Sequence, residues 1–155
     1  MKVIFLDFDG VLNSNAFLRS LSRTALSTPA ALCNEEMIDP VNVARLQRLI
    51  DATDAEIVIS SSWRCVHGIP ELGRVLAARG CKRWPYDVTP GTFSHRPRSQ
   101  EIREWLYDTD EEVSAFVVLD DTRDAVIEGH TVLTNPKVGL TDADVERAIA
   151  ILGDK

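Results

Sequence analysis

The 155-residue chain has no apolar run long enough to cross a bilayer, no basic tail and no block of like charge. A membrane-spanning role is therefore not expected, and a net charge of −7 offers no global attraction to nucleic acid, leaving only a local basic groove for such a partner. The opening residues form an apolar strand pattern without a cleavable signal, so the expected location is cytoplasmic. Cysteine is scarce: Cys33, Cys65 and Cys81 are odd in number and lack paired metal spacing, as expected of reduced thiols. His67, His95 and His130 share no metal spacing either. The chain lacks the GxxxxGK[ST] phosphate loop and the GxGxxG dinucleotide turn, which removes the common nucleotide-binding modules. Cys65 is followed by no arginine at the spacing of a cysteine-phosphatase loop, since the sixth residue after it is Glu71. No internal repeat or low-complexity tract is present.

What is there begins at once. Val3-Ile4-Phe5-Leu6 is the pattern of a parallel strand buried on both faces, and it ends at Asp7 and Asp9, one residue apart and followed by Gly10. Ligands of open α/β sheets bind beyond the carboxyl ends of the strands, where both acids would stand. Two carboxylates at a buried strand tip raise each other's pKa and resist desolvation. A hard divalent cation such as Mg²⁺ removes that penalty and attracts phosphate. Phe116-Val117-Val118-Leu119 repeats the arrangement, ending in Asp120-Asp121 with Asp124 close behind. One cation shared between the two tips answers both, with Asp120 as a direct ligand and Asp121 and Asp124 acting through water or holding the loop.

The remaining pattern is an alternation of strands and helices, which predicts a parallel sheet covered on both faces. A helix starts at Asp39-Pro40, a strand covers 56–59, a helix 70–79, a helix 99–107, a strand 130–134 and a closing helix 141–152. The weakest element is a short strand near Trp84 and Tyr86, where Pro85 interrupts the pattern. Residues 1–155 read as a single domain, with a small cap-like insert at about 14–38.

The string DFDGVLN after an apolar strand, then a strand ending in SSSWR, an arginine-led helix with EIREWL, and VVLDD resembles the haloacid dehalogenase (HAD) superfamily of phosphohydrolases. Within it, the chain looks like the minimally capped HAD domains of RNA repair proteins. The resemblance implies a Rossmann-like α/β fold and a Mg²⁺-dependent phosphomonoesterase working through an aspartyl-phosphate. It makes Asp7 the nucleophile and Asp9 the general acid and base, with Asp7, Asp9 through its carbonyl, Asp120 and Asp121 around the metal. Ser60, with Ser61 as the close alternative, supplies the hydroxyl for the phosphate, and Arg64 on the same turn is a further phosphate ligand. The fixed cation is Arg98, with Arg96 as the alternative. The expected partner is a phosphorylated substrate, with a nucleic acid end or a nucleotide among the candidates, and no obligate protein partner is inferred. A non-catalytic scaffold of a repair complex and a small-metabolite phosphatase remain as alternatives.

Overall fold

The computed structural model describes residues 1–21, 33–91 and 96–155. Among these residues, five strands form one parallel sheet in the order β3-β2-β1-β4-β5. They are β1 (Lys2–Leu6), β2 (Glu56–Ile59), β3 (Pro85–Val88), β4 (Ala115–Asp120) and β5 (Thr131–Leu133). The helices are α1 (Asn15–Ser20), α2 (Pro40–Thr53), α3 (Ile69–Ala78), α4 (Arg98–Asp108) and α5 (Asp142–Leu152). The α/β, Rossmann-like class expected from the alternation is the class observed. Among the described residues no helix is long and apolar enough to cross a membrane.

Period-two alternation sorts the sheet into two cores. Ile4, Leu6, Ile57, Ile59, Val117 and Leu119 pack with α2, α3 and α5 on one face. Val3, Phe5, Val58 and Val118 pack with Ile102 and Trp105 of α4 on the other. There Phe5 meets Trp105 edge-on, ring centroids 5.4 Å apart. The helix ends follow their local chemistry. Asp39 accepts from the Val41 N–H at 2.9 Å with Pro40 opening α2, and Thr141 and Asp144 close a reciprocal capping box on α5.

The weakly patterned strand exists. β3 is an edge strand that Pro85 opens, where its missing N–H costs no ladder bond, and the register against β2 shifts between Ile57 and Val58. Of the cap-like insert, residues 22–32 lie outside the described residues. The flanks are α1, capped by Ser14, and a 3₁₀ turn at Glu35–Met37, capped by Asn34.

The chain runs outward from β1 through β2 to β3, then returns to the other side for β4 and β5. The order therefore reverses at β1, and a crevice opens at the carboxyl ends of β1 and its neighbours. The ladders continue past the strand ends: Asp7 donates its N–H to Leu119 O at 3.0 Å and Ser60 to Leu6 O at 2.9 Å. The two acidic tips are thereby locked side by side.

Candidate active site

Asp7 continues the Val3, Phe5 phase of β1, and Asp120 the Val118 phase of β4, so both carboxylates leave the sheet on the face that α4 covers. Arg98, the first residue of α4, reaches between them. Its Nη1 lies 2.7 Å from Asp7 Oδ2 and 2.9 Å from Asp120 Oδ2. The other oxygens are held by the backbone. Asp7 Oδ1 accepts from the Phe8 N–H at 2.8 Å, and Asp120 Oδ1 accepts from the Thr122 N–H at 2.8 Å. Thr122 Oγ1 stands 2.7 Å from both Asp120 Oδ1 and Asp124 Oδ1, one hydroxyl proton between two carboxylates.

One guanidinium does not balance this cluster. Burial and the neighbouring Asp120 push the Asp7 pKa up to about 7, against the opposing pull of Arg98, Ser61 and the Phe8 N–H. Burial and Asp120 also raise Asp121. Burial opposes the charge on Arg98, yet Asp7 and Asp120 outweigh it and hold the guanidinium above its ordinary value. Asp7, Asp120 and Asp121 each present an oxygen within 4.8 Å of the other two. Excess negative charge and three converging hard oxygens fit a divalent cation. Gly10 makes the convergence possible: its φ is +72°, and a Cβ there would sit 2.5 Å from Asp121 Cγ. Thr134, at the end of β5, donates to Gly10 O at 2.8 Å and pins this loop from the far side.

Asp9 stands apart. It is exposed, and its carboxylate joins none of the metal-facing oxygens; only its main-chain carbonyl is left for the role expected of it there. Asn13 Nδ2 donates to Oδ1 at 2.9 Å and the Trp63 indole N–H to Oδ2 at 3.1 Å. Two neutral donors thus aim this acid without neutralising it.

Of the two strand-end serines, Ser61 is the one whose side chain acts on Asp7, drawing its pKa down. Ser60 Oγ, the first choice from sequence, is fully buried with no hydrogen-bond partner among the described residues. Ser61 caps the 3₁₀ turn Ser62–Cys65 just past the end of the β2 ladder, its hydroxyl accepting from the Trp63 N–H at 3.4 Å. Of the two candidate arginines, Arg98 is the one that reaches the acidic tips, while Arg96 pairs with Glu104. Arg64, expected to fork onto a phosphate, turns its guanidinium into the protein. Its Nε donates to Thr89 O at 3.1 Å, Nη1 to Ser61 O at 2.7 Å and Nη2 to Glu101 Oε2 at 2.6 Å, so every guanidinium nitrogen is engaged within the protein.

Asn13, Thr122 and Thr134 were not singled out by sequence. Asn13 closes the DFDGVLN string and Thr122 follows the acidic doublet, so position alone marked the first two, while Thr134 lies 124 residues from the glycine it holds. No curated protein and no solved structure matches the chain. Residues 3–145 match the family described as the HAD domain in Swiss Army Knife RNA repair proteins, which covers the sheet, both acidic tips and Arg98, and the chain belongs to that family.

Proposed function

We propose that the protein is a magnesium-dependent phosphomonoesterase that works through an aspartyl-phosphate on Asp7. One observation carries this reading: two buried carboxylates share one guanidinium nitrogen with a third beside them, while the second acid of the same loop is exposed and separately aimed. Asp7, Asp120 and Asp121, with the Asp9 carbonyl, would hold Mg²⁺, which when bound supplies charge to the nonbridging phosphate oxygens. An Asp7 oxygen attacks phosphorus and the ester P–O bond breaks, while the Asp9 carboxyl gives its proton to the departing oxygen. Asp9, now ionised, takes a proton from water as that water attacks the aspartyl-phosphate. The bond to Asp7 breaks, releasing phosphate and restoring the carboxylate. Ser61 and Arg98 donate to the nonbridging oxygens throughout.

The exposed Asp9 favours a leaving group on a large or extended molecule, and the description of the family as belonging to RNA repair proteins supports a nucleic acid end. Phosphate release should require Mg²⁺, fall to background in EDTA, and be faster with 3′- or 5′-phosphorylated oligonucleotides than with sugar phosphates. A preference for sugar phosphates would remove the nucleic acid assignment. Absence of turnover on every substrate, together with no beryllofluoride adduct, would leave a binding role.

The Trp63 indole supplies a separate check. Trp63→Phe keeps the edge-on packing against Phe8, whose centroid is 5.0 Å away, and deletes the N–H that aims Asp9. Turnover should fall about 10-fold with a stability loss of about 1 kcal/mol, read by phosphate release and urea unfolding. Unchanged turnover would mean that Asn13 alone suffices to aim the acid.

A further inference from the structure

The ion pair between Arg64 and Glu101 is among the most enclosed features of the molecule, with side chains only 6% and 5% exposed and Nη2 2.6 Å from Oε2. Such a pair adds little net stability over an apolar replacement, because desolvation consumes most of the attraction. What it does fix is geometry. The three Arg64 nitrogens diverge to three separate parts of the chain: Ser61 O in the turn after β2, Thr89 O after β3, and Glu101 on α4. The loop after β3 closes on the pair through a glycine, since a Cβ on Gly91 would lie 2.1 Å from Glu101 Oε1 and 3.1 Å from Arg64 Nη2.

The start of α4 needs such an anchor. Among the described residues, Pro97 provides no side-chain cap, and the Arg98 N–H has only a long 3.4 Å contact to Asp124 Oδ2. Glu101 follows Arg98 by three residues and so lies on the same side of the helix. A rotation of α4 that moved Glu101 away from Arg64 would also draw Arg98 Nη1 from its place between Asp7 and Asp120.

We infer that Arg64 and Glu101 are positioning residues: their buried pair sets the rotation of α4 and hence the placement of Arg98, while the same guanidinium holds the Ser61 backbone. This rests on the reading of Arg98 as the phosphate-site cation. Arg64 thus reaches the phosphate site through other residues, never by touching the substrate.

The test is a double-mutant cycle with Glu101→Gln and Arg98→Lys, read by phosphate release and by guanidinium ¹⁵N–¹H spectra of the metal-free protein. Glu101→Gln keeps an acceptor for Arg64 and should lower turnover about 10- to 100-fold. In the Arg98→Lys background the same change should cost less than about 2-fold, because the group it positions is already altered. The wild-type spectrum should show restricted Nη signals for Arg98, assigned by their loss in Arg98→Lys, and Glu101→Gln should average them. Where Glu101→Gln does not fold, Glu101→Asp, which keeps the buried charge and shortens the arm, takes its place under the same criteria. Independent, multiplying losses in the cycle, or Arg98 signals untouched by the Glu101 change, would overturn the inference. If the wild type releases no phosphate, the phosphatase reading fails on its own, and the spectra still decide whether the pair positions Arg98.

Discussion

Replacing Asp7 with Asn is expected to lower phosphate release by about 10⁴-fold or more and, at the same time, to make the metal-free protein more stable at pH 8. The first effect follows from removing the proposed nucleophile. The second follows from the setting of that carboxylate, buried against Asp120 and pushed up to about 7 from an unfolded value of 3.8. Between those two values the folded chain holds a proton that the unfolded chain has released, so the stability contribution of Asp7 is complete below about pH 4 and is lost as pH rises through 7. Asn carries no charge at any pH and avoids this loss. Urea unfolding in EDTA should therefore show the two proteins close together near pH 4 and the variant ahead by about 1–3 kcal/mol at pH 8. Saturating Mg²⁺ should narrow the gap, because the cation stabilises only a site that still offers the Asp7 carboxylate. A variant no more stable than the wild type at pH 8 would mean that Asp7 is not held at a cost, and the electrostatic account of the site would fail.

The same residues explain why so much of the site was legible in the chain. Asp7, Asp9 and Asp120 stand at the tips of apolar runs, and the burial that makes those runs readable is what makes acids at their ends conspicuous. Strand phase then carries Asp7 and Asp120 to the α4 face, where Arg98 waits. What local pattern could not reveal was pairing across distance. Arg64 looked free because its partner, Glu101, lies 37 positions away, and nothing in SSSWR announces that each of its three guanidinium nitrogens bonds within the protein. Ser60 and Ser61 are adjacent hydroxyls that differ only in where the ladder ends and the 3₁₀ turn begins, a boundary that sequence places poorly. Trp63 packs edge-on against Phe8, and the hydrogen bond from its indole to Asp9 depends on a loop 54 residues earlier. β3 was weakly patterned because an edge strand needs only one good face and tolerates Pro85.

Arg98→Met should have the opposite effect on stability to Asp7→Asn and so separates the two sides of the same contact. Methionine retains much of the side-chain stem but removes the nitrogen lying 2.7 Å from Asp7 and 2.9 Å from Asp120, leaving two buried carboxylates facing each other. Breaking a buried pair from one side costs about 3–5 kcal/mol, and metal-free protein at pH 8 should lose that much in urea unfolding. Arg98 normally pulls the Asp7 pKa down, so without it Asp7 holds its proton to a still higher pH, and the deficit should shrink as the buffer is made more acid. Mg²⁺ replaces the missing counter-charge among the same oxygens and should recover much of the stability. It does not replace the guanidinium donors that the proposed mechanism assigns to the phosphate, so turnover in saturating Mg²⁺ should remain about 10²–10³-fold below wild type. Recovery of turnover along with stability would reduce Arg98 to a counter-ion. Stability regained while turnover stays low would assign it to the phosphate, as the position of Nη1 between the two acidic tips requires.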